Sequence, residues 1–243
     1  WADDFNNDKL DDSKWDYELG CIRGVEQQHY TNSDDNVFMR DGKLVLKATD
    51  RALEDQYKNP RGNRRVIYDS GSVRTHGKYE FLYGRIEMKA KLPRGKGVFP
   101  AFWTLGADFV LDGDIDSKQG YGWARCGEID IMELIGSESG VRNRTVYQTI
   151  HTDDGLTEDN GKLAGQGYTI SEDFYNDYHI FGIDWSENKV EWYVDDQIVC
   201  TADYSDTSIA KNRIAQKALN RPQYIQMNLA MGGNWPGDAG TNL

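Results

Sequence analysis

The feature that most narrows what this chain can fold into is the period of its apolar residues, which is two almost everywhere. KLVLKA (43–48), KYEFLYGRIEMKAKL (78–92) and KVEWYVDDQIV (189–199) alternate apolar with polar side chains, the signature of strands with one buried face. Further strands are expected at 71–76, 99–105, 128–135, 145–152, 178–185 and 224–231. Asp41-Gly42 and Asp195-Asp196 sit between paired runs, where Asp and Gly tolerate the left-handed turn of a hairpin, so those strands should be antiparallel neighbours. Helical periodicity is confined to 207–219, with Ala210, Ile214 and Ala218 on one face and Arg221-Pro222 ending the pattern; this helix should pack on the outside. So many strands with one helix predict an all-β chain built as a double-sheet sandwich or jelly roll of antiparallel sheets.

At 243 residues and 38% hydrophobic content the chain can bury a sizeable core, and no composition shift, repeat or linker divides it, so a single domain over 1–243 is expected. A net charge of -12 repels phosphate backbones and anionic head groups, which argues against nucleic acid and membrane partners. No apolar run approaches the roughly 20 residues of a membrane span, and Trp1 is not followed by a leader pattern. Cys21, Cys126 and Cys200 are odd in number and lack metal-ligand spacing. His29, His76, His151 and His179 are too scattered for a metal constellation, and no Ser-His-Asp set or phosphate-cradling loop is present.

One strand stands apart. GEIDIMELIG (127–136) carries Glu128, Asp130 and Glu133 among residues that belong in a core. Glu128 and Asp130 share a face of a regular strand, whereas Glu133, five residues on, points away. A β-bulge at Ile131-Met132 would supply the missing residue and turn Glu133 back to the face of the other two. Two carboxyls then converge, and a separation of about 5 to 5.5 Å is that of a retaining glycosidase. Glu128 is the expected nucleophile, Glu133 the acid and base, and Asp130 the group that holds one Glu and raises a neighbour's pKa. A solvated polar face and a cation site are the alternatives for a bare E-x-D-x-x-E string.

With that strand in view, the chain resembles the laminarinase-like branch of glycoside hydrolase family 16. The motifs occur in family order: WADDFNN, DNVFMRDGKLVLKA, SGSVRTHGKYEFLYGRIEMKAKLP, GKGVFPAFWTLG, CGEIDIMELIG, TIHT, IDWSENKVEWYVDDQ and NLAMGGNWPG. The resemblance implies a jelly roll with a concave substrate cleft, and it places the same three carboxylates in the same roles. It further implies sugar contacts from Asn36, Glu87, Trp103, His151 and Asn228, with Trp123 and Trp235 on loops; Trp103 is the expected stacking platform, since an indole suits the apolar face of a sugar. Read as residues alone, Trp103 also suits a core, Asn36 a turn cap and His151 a structural role.

The implied function is an endo-acting retaining β-glucanase acting on β-1,3 or mixed β-1,3/1,4-glucan, secreted or held at the cell surface or periplasm, monomeric, and needing no cofactor for catalysis. A structural calcium is the one ion the resemblance suggests, with Asp4 and Gly42 as its ligands. Two departures from the family pattern stand out: the family's final Asp-bearing strand has no counterpart after GGNWPG, and 107–125 is long and acidic, a segment expected to reshape the acceptor side of the cleft. A non-catalytic glucan-binding module is the rival of another class, and a relative acting on agarose, carrageenan or xyloglucan the rival within the family.

Overall fold

The computed structural model describes residues 1–109, 122–153 and 163–240. Its centre is a seven-stranded sheet in the order Asp16–Tyr17, Ser72–Arg74, Gln223–Met231, Val98–Gly106, Glu128–Glu133, Thr145–His151 and Leu163–Thr169, every pair antiparallel. A four-stranded antiparallel sheet, Gly84–Ala90, His179–Ser186, Lys189–Val194 and Gln197–Asp203, packs against it. Alternation determines the packing. Val73, Phe102, Ile129, Val146, Ile150, Ile225 and Met227 come from one sheet, and Ile86, Phe181, Ile183, Val190 and Trp192 from the other; together they form one buried cluster. The expected sandwich is thus present, with its core between the sheets.

Both predicted hairpins form. Val37–Met39 pairs with Leu44–Leu46 across Asp41 and Gly42, and Lys189–Val194 with Gln197–Asp203 across Asp195. Asp41, Gly42 and Asp195 have φ of 53°, 65° and 55°, the left-handed region in which Asp and Gly are least strained. Two expectations are corrected. The run 78–92 forms a strand only over Gly84–Ala90, because Tyr83 and Gly84 both take positive φ and break the extended path. The helix is Ala210–Leu219, and its buried residues are Asn212, Ala215, Ala218 and Leu219. Ala210 is exposed, so the face at the core is turned from the one the periodicity suggested. Ala215 and Leu219 join the main core cluster while Lys211, Arg213 and Lys217 stay exposed, so the helix packs on the outside of the sandwich through that face. Finally, Gln28–Tyr30 and Tyr68–Ser70 form a parallel pair that the sequence did not announce.

Among the described residues no helix is long and apolar enough to cross a membrane.

Candidate active site

The bulge lies where strand parity demanded it. Across the neighbouring strand Trp103 pairs with Asp130 and Phe102 with Met132, so Ile131 has no opposite number. On the other side Asp130 pairs with Thr149 and Glu133 with Tyr147, again with one residue extra on the Glu128–Glu133 strand. Ile129, Ile131, Met132 and Leu134 all belong to the core cluster, which leaves Glu128, Asp130 and Glu133 to the outer face of the sheet. The bulge is supported from below: the Trp192 indole N–H, from the opposite sheet, donates to the Asp130 carbonyl at 2.8 Å. A backbone acceptor that the irregular ladder would strand in the core is thereby paired.

Glu128 accepts a 2.9 Å hydrogen bond from the Trp123 indole N–H. His151, directly opposite Glu128 in register, places Nε2 3.3 Å from Asp130 Oδ2 and 3.9 Å from Glu128 Oε1. The Trp123 ring leans on His151 at 5.7 Å. Burial pushes the Glu128 carboxyl up to about 8 and the neighbouring Asp130 adds to the rise, while His151 and the Trp123 donor pull it down. Glu128, Asp130 and His151 also offer three ligand atoms within 4.8 Å of one another, a set that a divalent cation would accept as readily as a sugar oxygen.

Two tryptophans stand exposed beside the cluster. Trp123 is next to Glu128, and Trp235 packs edge-on against Tyr147 at 4.7 Å and Phe99 at 5.7 Å, with Tyr147 opposite Glu133. Each leaves roughly half of its indole to solvent, as a sugar-stacking surface requires.

Other expected contacts are placed differently. Trp103 lies on the cleft side of its strand but is only 6% exposed; its indole N–H donates to Asn228 Oδ1 at 2.8 Å, and the Arg23 guanidinium covers its ring at 5.1 Å. It is floor and not platform. Asn228, also buried, relays this contact by donating from Nδ2 to the Tyr30 hydroxyl. Asn36 is 2% exposed and its amide is fully engaged: Nδ2 donates to the Lys47 carbonyl and Thr49 Oγ1, and Oδ1 accepts from Thr31 Oγ1. It fixes the local chain path, the role that turn chemistry alone would give it. Glu87 is on the other sheet, and with Ile86 and Met88 facing the core it points to the opposite surface of the sandwich, where it meets Arg85 and the Tyr193 hydroxyl. It cannot line the cleft.

Asp4 and Gly42 are both exposed, and the turn at Gly42 approaches the N-terminal segment through Asn6. Asp3, the more shielded neighbour, is engaged with the Phe5 N–H and the Trp15 indole. One carboxylate and one turn carbonyl fall well short of the six to eight oxygens calcium takes, so these residues by themselves do not fit the ion. The long acidic segment lies, over 110–121, outside the described residues.

A buried polar group with no signal in the sequence lies next to Trp103. Glu18, 5% exposed, holds Arg23 through both its oxygens at 2.7 and 2.6 Å and accepts from Gln226 and Ser72. No periodicity or motif marks Arg23 in the loop CIRGVE; only the register of the strands beneath it shows where it lands.

The sequence profile of "Glycosyl hydrolases family 16" matches residues 25–242. A "Glucan endo-1,3-beta-glucosidase A1" of Niallia circulans is 37% identical over 98% of this chain, which spans 34% of that protein. A "Glucan endo-1,3-beta-glucosidase" of Cryptopygus antarcticus is 35% identical over 98% of the chain and 81% of that protein. Among solved structures, the laminarinase catalytic domain from Thermotoga maritima superposes with a TM-score of 0.78 at 34% identity, covering 99% of this chain and 89% of that one.

Proposed function

Because this chain belongs to glycosyl hydrolases family 16, we propose that the outer face of its seven-stranded sheet is the cleft of an endo-acting, retaining β-glucanase cutting β-1,3 or mixed β-1,3/1,4-glucan. The observation that carries the reading is the bulge, which brings all three acids to one solvent-facing surface although their sequence spacing separates them.

In this reading Glu128 attacks the anomeric carbon while Glu133 protonates the leaving oxygen, and Glu133 then takes a proton from the water that releases the glycosyl group. Asp130 lies between them on the same face, and its charge adds to the rise in the Glu128 pKa. The Trp123 N–H opposes that rise by donating to Glu128 Oε2, which favours the ionised nucleophile. Trp123 and Trp235 supply stacking surface at opposite ends of the acidic strand, and His151 and Asn228 line the floor between. The carboxyls supply nucleophile, acid and base, so the reaction asks for no cofactor, and EDTA is expected to leave the rate unchanged; a requirement for a cation at Glu128, Asp130 and His151 would appear as chelator-dependent loss. With 40 acidic against 28 basic residues, the surface favours an uncharged polymer over a sulfated one. We further read the protein as a secreted or surface-held monomer.

Glu128→Gln tests the assignment. Reducing-sugar release from laminarin should fall by at least about three orders of magnitude, with folding and glucan binding retained. Release at the wild-type rate would remove Glu128 from the mechanism, and no release from the wild type would favour a glucan-binding module.

A further inference from the structure

Among the described residues Arg23 is a cation built into the cleft floor beside Trp103, and the mechanism above does not use it. Its guanidinium sits 5.1 Å from the Trp103 ring centre and 5.4 Å from that of Tyr30. Nη1 donates to both oxygens of Glu18, at 2.7 and 2.6 Å, and Nη2 donates to the Tyr30 hydroxyl at 3.2 Å. Glu18 is anchored below by Gln226 and Ser72, and Tyr30 by Asn228, which also receives the Trp103 N–H. The side chain is thereby fixed from beneath, while 26% of it remains open to solvent and that of Glu18 only 6%. Of the five N–H donors of a guanidinium these bonds use three, leaving Nε–H and one Nη2–H. Nε carries no hydrogen bond and is not sealed from solvent, so this donor at least is open to a ligand.

Location gives the group its meaning. Trp103, which Arg23 covers, pairs in register with Asp130 on one side and Gln226 on the other. Arg23 therefore stands one to two strands away from the acids, about a sugar's width given a strand spacing of about 4.8 Å. It occupies the position where an uncovered Trp103 would have offered its ring.

We propose that Arg23 is the sugar-binding residue of the subsite flanking the carboxylates on the Trp103 and Asn228 side, reading hydroxyl oxygens of an uncharged glucosyl unit through its open guanidinium edge at Nε–H. This inference rests on the glucanase reading above. A hydroxyl is the matching ligand because the cation is already balanced: Glu18 pairs with it and Glu26 lies close enough to act on its charge. Two carboxylates and one guanidinium leave no surplus positive charge for a sulfate or uronate. Fixed, planar donors also lose little freedom on binding, which a mobile lysine would not match.

The test is a ladder of β-1,3-gluco-oligosaccharides of increasing length, hydrolysed by the wild type and by Arg23→Lys, with binding of the same ladder to Glu128→Gln and to Glu128→Gln/Arg23→Lys measured by calorimetry. Lysine keeps a cation beside Glu18, so the thermal midpoint should move little. The gain in kcat/KM and in affinity that one particular added glucosyl unit brings to the wild type should shrink roughly tenfold in the lysine variant, shorter substrates being unaffected. An equal proportional loss at every length, or none, overturns the proposal. Should Arg23→Lys fold poorly, Glu18→Gln/Arg23→Met removes both partners of the ion pair and must show the same length-dependent loss. Absence of hydrolysis in the wild type with the length-dependent binding loss intact would sink the glucanase reading and leave the subsite standing; absence of both would sink the two together.

Discussion

At the scale of single residues, the proposed chemistry is concentrated in Glu128 and in what surrounds it. Its carboxyl ordinarily titrates near 4.5 and is raised here to about 8, first by burial and then by Asp130. Below the lower value the folded and unfolded chains both hold the proton. Between the two values only the folded chain holds it, so the stabilising share of this group is whole below 4.5 and lost as pH rises through 8. Glu128→Gln removes the cost of ionising the buried group, and the variant should gain on the order of a few kcal/mol over wild type at pH 9 but little at pH 4, as read by denaturant unfolding. Trp123→Phe acts in the other direction on catalysis. Loss of a donor to the ionised carboxylate raises its pKa, so the acidic limb of kcat/KM should move to higher pH; a downward move would contradict the role given to that indole. At this scale the sequence was legible for the acids, whose residue type announces chemistry. For Asn36 and Trp103 the plain residue reading, turn cap and core, serves better than the resemblance, and for Arg23 there is no signal at all, because an isolated arginine has no spacing from which its surroundings can be deduced.

The next scale is the bulged strand. Deleting Ile131 restores a regular period of two, and Glu128, Asp130 and the shifted Glu133 still share a face while Ile129, Met132 and Leu134 still share the other. This variant should lose roughly 1 to 4 kcal/mol for the missing core side chain yet retain measurable glucan hydrolysis. Deleting Ile131 and Met132 together puts Glu133 on the core side, and both stability and activity should collapse; laminarin assays and circular dichroism on the pair decide it. Parity makes this element readable in the sequence, since only one offset reconciles three outward acids with four inward apolar residues. Glu87, implied by the resemblance alone, marks the limit of parity: alternation gives the face of a strand, but not which of the two sheets the strand joins. The helix was misread for a related reason, its small residues recurring on two overlapping faces of which only one meets Gly127 and the core.

For the whole molecule, two sheets and one core were foreseeable from alternation, whereas the parallel pair Gln28–Tyr30 with Tyr68–Ser70 was not, because long-range pairing leaves no local mark. The sheets are coupled through Trp192, fully buried and bonded to the Asp130 carbonyl, so the core on one side sets the geometry of the cleft on the other. Trp192→Phe keeps an aromatic ring but loses the indole N–H and strands that carbonyl, and should cost roughly 1 to 3 kcal/mol of stability for the unpaired acceptor together with a drop in kcat larger than any change in KM. The central claim, that this fold turns two glutamates toward one sugar for a double displacement, is tested most directly by the stereochemistry of the first product. Proton NMR of laminarin hydrolysis, recorded before mutarotation, should show the new reducing end appearing as the β-anomer; initial appearance of the α-anomer would contradict the account.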